Sequence, residues 1–545
     1  MTGLRLFFQK QGLAGLLLLF FAAQGAYLIS YTSPTTDEVP FHIVNGYVYL
    51  KTGDFRMSPA NTALVKEWMG LSWLPIHPKM NLDKDSWRRA DSDPFGRDFL
   101  YNDNRAIAEK LVTAARSMIL ILGILLGAVI YAWSSRLYGV PGGLTSLAFY
   151  AFCPLFLGHS AIGTIDVGAA FFSCLSIFLF WRYLVTQTPA RLVMFWLGAG
   201  LMFAAKTNTL FFVPIFAGIL VYRKGARKAF LTLLGMAAVS FVVIWATYLF
   251  EFKPLLAGGV PRVDEKLGFI EEICKVVVLG NPAATQLLKK WALELPIPMP
   301  TYFLSIAGIA RHHSQAYLHY SFGRYTTEAV WFQYPFLFLT KLTIPFLLAV
   351  AWRLIRFRRE PLTRTDNLVL AVPFFSYAVF MLLERTYCGF RYFFPALPLL
   401  FVWIGGITKT NRPLVKYGVI SLLVLNAVVA LKAFPNELSY FNAFIGSENA
   451  HRYVRDSDVD WGQGLKALSA WMKQHGVERV TLDYFGTADP SYYGVVAERW
   501  TETEIKAPLG KVYALSRQYL DHAPWALERK PAAVVGGSIH VYDLR

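Results

Sequence analysis

Apolar residues in this chain come in blocks. Eleven segments approach the roughly 17–25 apolar residues that cross a bilayer as helix. They lie near 12–31, 117–134, 143–158, 165–184, 192–205, 208–222, 229–250, 330–352, 367–383, 392–407 and 415–433. Between them run short connectors, a long first loop (about 32–116) and a second long loop (about 251–329). In the first loop Phe41, Val44, Tyr47, Val48 and Leu50 recur at helical spacing, followed by Trp68, Leu71, Trp73 and Leu74. That spacing predicts helices lying on the membrane surface. The second loop carries ELPIPMPTYF (Glu294–Phe303), where the prolines forbid a regular helix. From about 434 the period changes. VERVTLDYF (Val477–Phe485), KVYAL (Lys511–Leu515), AAVVGG (Ala532–Gly537) and IHVYDL (Ile539–Leu544) follow the helix-like GLKALSAWMKQHG (Gly464–Gly476). The expected architecture is a mainly α, polytopic membrane protein, with a helix bundle over 1–433 and a small soluble α/β domain over 434–545.

Composition supports a membrane chain: 55% of residues are hydrophobic and 16% charged, against about 25% charged in a soluble protein. The net charge of +17 sorts by loop. With the N-terminus in the cytoplasm, the connectors on that side hold seventeen Lys and Arg, from Arg5 and Lys10 to Lys416, against Glu360 and Asp366. This positive-inside bias predicts a multi-pass protein of the inner cell membrane, with its C-terminal domain on the outer side. Charge spread over short connectors forms no patch, which excludes a nucleic-acid partner. Arg5, Lys10 and the apolar run ending in FAAQGA also have the look of a signal peptide; the length of the run and the ten segments after it favour an uncleaved first helix. The four cysteines, Cys153, Cys174, Cys274 and Cys388, show no metal-type spacing. Cys274 and Cys388 could meet in an oxidising compartment, but nothing in the sequence supports that pair.

Four features on the outer side sit beside membrane helices. Asp37 and Glu38 open the first loop; they read either as catalytic acids or as first-turn acids of a helix capped by Thr36. In HSAIGTIDVGAAFF (His159–Phe172), Asp166 stands at the mouth of the fourth span, where an ionisable residue is a functional candidate and a helix cap is the plainer alternative. Lys206 interrupts an apolar hairpin in AAKTN, as a site residue or a snorkelling lysine. In LLERTYCGFRYFFP, Glu384, Arg385 and Arg391 share one short turn, where the plainer alternative is charges pairing with one another. Carboxylates and cations gathered on one face suit a substrate with a lipid tail and an anionic head. Cations hold a phosphate, a carboxylate accepts the proton of an attacking hydroxyl, and a lipid phosphate leaves readily where positive charge meets it.

The run DEVPFHIVNGYVYLKTGDFRMSP resembles the first-loop signature of phospholipid-carrier-dependent glycosyltransferases, which include protein O-mannosyltransferases and the aminoarabinose transferase of lipid A. FGRDFLYNDN (Phe95–Asn104) with AARSMIL, HSAIGTIDVGAAFF, GLMFAAKTNTL and GFRYFFPALPLLF look like further blocks, in the family's order. SYFNAFIGSENAHRYVRDSDVDWGQGL (Ser439–Leu465) and YFGTADPSYYGV look like the tail of its bacterial branch. The resemblance implies the GT-C fold, an outward-facing site, a polyprenyl-phosphate sugar donor, inversion at the anomeric carbon, and a protein, glycan or lipid acceptor. It implies Asp37 as general base, with Glu38 and Asp166 as further catalytic acids. Lys206, Arg391, Arg385, His159 and Lys66 would lie around the substrate. Family members differ in metal use, so a divalent cation stays open and no ligand is assigned. One block departs: Asn61–Thr62–Ala63–Leu64 stands where many relatives read His-Pro-Pro-Leu or Lys-Pro-Pro-Leu, with Lys66 following as expected.

Three motifs mimic other chemistry. DSDVDWGQ spaces Asp456, Asp458 and Asp460 like a calcium loop, but its glycine is one place late and Ala467 stands where a bidentate Glu is needed; a turn before the helix at Gly464 is expected. The histidines of RHHSQAYLHY (His312, His313, His319) have no carboxylate at ligand spacing. GVPGG (Gly139–Gly143) is a turn rather than a phosphate loop. A transporter or flippase without covalent chemistry is the alternative function; against it, the ionisable residues sit at the rim rather than mid-span, and no inverted repeat is visible.

Overall fold

The computed structural model describes residues 2–255, 281–314, 318–356, 363–384, 387–409 and 412–545. The expectations for Arg385 and for a Cys274–Cys388 bridge lie outside these residues, as do the side chains of His312 and His313. Among the described residues, six helices are long and apolar enough to cross a membrane alone: Gly12–Tyr31, Arg105–Ala151, Asp166–Val185, Ala226–Thr247, Thr365–Leu382 and Pro413–Ala433. A bent pair, Gln333–Lys341 and Ile344–Ile355, meets at 109° and makes a seventh if taken as one span; Pro345, without an N–H, restarts the helix there. Pro189–Ala205 and Leu397–Thr408 are shorter apolar helices.

The eleven apolar segments therefore do not become eleven separate full-length helices. The second and third share the helix Ala108–Ala151, which breaks at Gly139. The φ of +79° there is open to glycine without steric cost, so GVPGG is the bend between two helical arms.

The first loop folds against the bundle with short helices at Val44–Thr52 and Leu64–Leu71. They cross with backbones in contact: a Cβ on Gly46 would overlap the Lys66 carbonyl, and one on Gly70 would overlap the Gly46 backbone. Neither side can yield, because both obstacles are main chain. Gly46→Ala is expected to cost about 3 kcal/mol, read as a lower melting temperature of the detergent-solubilised protein.

Prolines in ELPIPMPTYF do interrupt the helix, but only briefly. Pro296–Pro298 pairs as a short antiparallel strand with Phe252–Pro254, and Pro300 then opens the helix Pro300–Ser314. A second hairpin, His319–Ser321 with Arg324–Thr326, docks on the tail: the Phe322 N–H donates to the Tyr453 carbonyl (2.7 Å) and the Tyr325 hydroxyl to Asp521 (2.9 Å).

Beyond residue 434 the chain first runs along the bundle. The Asn442 amide donates to the Leu339 and Leu342 carbonyls at 2.6 and 2.8 Å, and Lys341 Nζ to the carbonyls of Leu438 and Asp458 at 2.9 and 2.8 Å. The α/β fold begins at the helix Leu465–Gln474. Its five strands lie in the order Ala497–Glu498, Val480–Asp483, Val512–Ser516, Ile539–Asp543, Ala533–Val535. The first three are mutually parallel, and Ile539–Asp543 is antiparallel to both of its neighbours.

Candidate active site

Residues 33–38 leave the first helix and turn sharply. Thr36 does not cap a helix. Its N–H and its hydroxyl both donate to the Trp461 carbonyl, at 2.8 and 3.2 Å. Asp37 takes the capping position of a π-type turn, Glu38–Ile43, without a side-chain cap bond. Its carboxylate is therefore free to face elsewhere.

Adjacent Glu38 points the opposite way, into the protein. Its two oxygens accept from Arg116 Nε (2.7 Å) and Nη2 (2.8 Å) and from the N–H groups of Thr35 and Gly163 (both 2.6 Å). Arg116 also donates to the carbonyls of Ile29, Thr32 and Ser33. Neither side chain has any exposure. Burial opposes the Glu38 charge, but Arg116 and the two backbone donors overcome it and hold the carboxyl below its ordinary range. The acidic pair thus splits: one carboxylate is sealed inside and the other reaches the cluster.

Arg391 Nη1 lies 3.1 Å from Asp37 Oδ2 and 3.7 Å from Asp166 Oδ2. Lys206 Nζ donates to Asp166 Oδ1 at 2.6 Å and sits 4.2 Å from the centre of the Tyr392 ring. Asp166 opens the helix Asp166–Val185, yet its carboxylate pairs with these cations and does not cap. Lys206 follows the end of Pro189–Ala205 in extended backbone, so its side chain stays in the protein instead of snorkelling. Arg391 looks past its own turn to two acids from distant segments. Of the four side chains Asp37 is the most open, 25% exposed against 11% for Arg391, 9% for Lys206 and 3% for Asp166. Burial raises the Asp37 carboxyl above its usual range, Arg391 pulls it down, and Asp456 and Asp166 push it up. Burial also works against the Arg391 charge, but Asp37 and Asp166 outweigh it and raise that group.

The remaining expected residues lie behind this cluster. Lys66 is fully enclosed, donating to the Ser58 carbonyl (2.9 Å) and the Tyr49 hydroxyl (3.3 Å); burial lowers it well below an ordinary lysine. His159 is buried with its ring against Phe394 (4.8 Å) and Trp461 (5.9 Å), and burial takes it down to about 3. The divergent block still reaches the site: the Thr62 hydroxyl donates to the carbonyl of Ala205, next to Lys206 (2.8 Å).

Two residues that hold the site together escaped the sequence reading. Arg116 sits in the quoted AARSMIL block, but nothing local marks its partner 78 positions away. Trp461 lies 4.0 Å beneath the Arg391 guanidinium, within a stretch read as a turn. Among the described residues, no group of three or more His, Cys, Asp or Glu is placed to hold a metal ion. Asp456, Asp458 and Asp460 point to different partners: Asp458 accepts from the Phe390 N–H (3.0 Å) and Asp460 from the Gly462 N–H (2.9 Å).

Beside the cluster, Phe390 and Phe393 line an apolar cavity of about 460 Å³ with Tyr334 and Phe338. Phe338, Phe374 and Phe375 also line a second, of about 410 Å³, which reaches Leu354 and Trp403.

This architecture has known counterparts. ArnT from Cupriavidus metallidurans, in its crystal structure bound to undecaprenyl phosphate, is similar over 97% of this chain and 98% of its own, with a TM-score of 0.50 at 11% identity. The chain has the GT-C fold. Residues 94–249 match the family model described as dolichyl-phosphate-mannose-protein mannosyltransferase. The archaeal oligosaccharyltransferase AglB from Archaeoglobus fulgidus, in complex with an inhibitory peptide and a dolichol-phosphate, aligns over 95% of this GT-C chain and 71% of its own, at 12% identity and a TM-score of 0.42. A search of curated protein sequences gave no match.

Proposed function

We propose that this protein is an integral-membrane glycosyltransferase that moves a sugar from a polyprenyl-phosphate donor to an acceptor hydroxyl, with inversion. The observation that carries the reading is Arg391 between two acids, Asp37 and Asp166, beside an apolar cavity lined by its own neighbours Phe390 and Phe393. A phosphate on a long hydrocarbon tail matches both halves. The tail takes the adjoining cavities and the phosphate meets Arg391 and Lys206. The polyprenyl phosphate in the ArnT crystal structure and the matched family model point to the same donor class.

In the reaction, Asp37 accepts the proton of the acceptor hydroxyl as its oxygen bonds to the anomeric carbon. The bond from that carbon to the phosphate oxygen breaks, and Arg391 and Lys206 stabilise the charge left on the lipid phosphate. Asp37 suits the base because it is the most exposed acid of the cluster. Glu38 holds the backbone that presents it and does not react. Asp166 orients the two cations. Asp37 and Asp166 are already paired with Arg391 and Lys206, and among the described residues no third His, Cys, Asp or Glu joins them at ligand distance, so the residues do not fit a metal here, and transfer is expected to persist in excess EDTA.

The direction of the Asp37 shift sets the pH dependence. The base works only when ionised, so kcat/KM is expected to fall on the acid side at a pH above the ordinary aspartate value of about 4. The deciding experiment incubates purified protein in vesicles with radiolabelled polyprenyl-phosphate sugars and candidate acceptors. Labelled acceptor made by the wild type but not by Asp37→Asn supports the reading. Label that crosses the vesicle without any covalent product refutes it in favour of transport. The outer side of the cell membrane is the proposed location of the site, from the charge bias of the connectors.

A further inference from the structure

Residues 456–463 touch both segments that carry the reactive groups. On one side the Trp461 carbonyl takes both donors of Thr36, the Gln463 carbonyl accepts from the Ser33 N–H (3.1 Å), and the Gly462 carbonyl from the Ser33 hydroxyl (3.1 Å). On the other, the Ser457 hydroxyl donates to the Cys388 carbonyl (3.2 Å), and Asp458 accepts from the Phe390 N–H and the Tyr387 hydroxyl. Between these anchorages the Trp461 indole, 1% exposed, faces the Arg391 guanidinium at 4.0 Å. Tyr392 is a second ring near that guanidinium, at 5.9 Å. His159, Ile162 and Leu438 pack on Trp461 and fix its plane.

We infer that Trp461 is a positioning residue whose indole face orients the Arg391 guanidinium so that one nitrogen spans Asp37 and Asp166. This deepens the glycosyltransferase reading and rests on it. The physical basis is the preference of a planar guanidinium for an aromatic face, strongest where water is excluded. The Arg391 Nε bond to the Cys388 carbonyl (2.8 Å) and the Nη1 bond to Asp37 (3.1 Å) fix two points of the group, but leave it free to tilt about the line between them. The indole removes that freedom. The tail thus contributes to the site in two ways, through backbone bonds to the Asp37 strap and through this ring.

The test compares wild type, Trp461→Phe and Trp461→Leu in the sugar-transfer assay across pH, with rates normalised to folded protein. Asp37 is faced by Arg391 from the 387–393 turn, by Asp166 from its helix start and by Asp456 from the tail. A displaced Arg391 leaves the two acids opposing ionisation of Asp37. The acid limb of kcat/KM is then expected to move to higher pH in the order wild type, Phe, Leu, with the Leu variant down about tenfold at neutral pH. If the Leu variant does not fold, the Phe variant is read alone, for a smaller shift in the same direction. An unmoved limb overturns the inference, because loss of packing alone lowers the amount of active protein without moving it. Wild type that makes no glycosylated product refutes the glycosyltransferase reading itself, a different result from an active wild type whose variants keep its limb.

Discussion

Replacing Asp37 by Asn is expected to lower the transfer rate about 10²–10⁴-fold and to leave the protein folded. Asn has the shape of Asp but cannot accept the hydroxyl proton. The local backbone does not depend on the carboxylate: Thr36 is held by the Trp461 carbonyl, and the Asp37 carbonyl accepts from the Phe41 N–H (3.1 Å). Among the described residues, the side-chain bond weakened is that from Arg391, which keeps Asp166 within 3.7 Å. Because Arg391 keeps Asp166 as counter-ion, the substitution leaves no enclosed charge unpaired. Thermal unfolding should therefore match wild type while product formation disappears. Normal transfer by the Asn variant would remove Asp37 from the role of base.

The neighbouring substitution, Glu38→Gln, should do the opposite. It is expected to destabilise the protein by about 3–5 kcal/mol, because it leaves Arg116 charged, enclosed and without its counter-ion. The Gln amide also turns a donor toward a group that already carries only donors. The folded pKa of Glu38 lies below the unfolded one. Its contribution is present above the unfolded value and is lost as pH falls through the folded one. Pairing Glu38→Gln with Arg116→Met should recover part of the loss by removing the stranded charge. Melting temperature and yield of folded protein in detergent measure both effects. A Glu38→Gln protein as stable as wild type would contradict the enclosed ion pair.

Two adjacent acids with opposite expected phenotypes show where sequence reasoning ends. Asp37, Asp166, Lys206 and Arg391 were legible because ionisable residues at the ends of apolar segments are rare and costly. Their gathering on one face followed from the loop topology, but which acid meets which cation did not, since Asp37 and Arg391 lie 354 positions apart. Glu38 and Asp37 look alike in one dimension; the turn at 37–38 sends one inward and one outward. Lys66 stands where the resemblance expects it, after a block that departs, yet its ammonium goes to the Ser58 carbonyl and not to the cluster. The hydropathy pattern found the helices but not their joints, because a break such as Gly139 depends on one residue's φ. Alternation found four of the five tail strands; the two-residue strand Ala497–Glu498 is too short to show a period. DSDVDWGQ read as a turn because its meaning lies in partners from three remote segments, which no local pattern encodes.

The bond between Ser33 and Gly462 joins positions 429 apart, and this separation governs biogenesis. A ribosome makes Asp37 more than 400 residues before it reaches the segment that braces it. Chains stalled before Gly462 are expected to insert their helices and remain catalytically silent. Lipid-linked sugar would thus meet a working catalyst only after synthesis has passed the bracing segment.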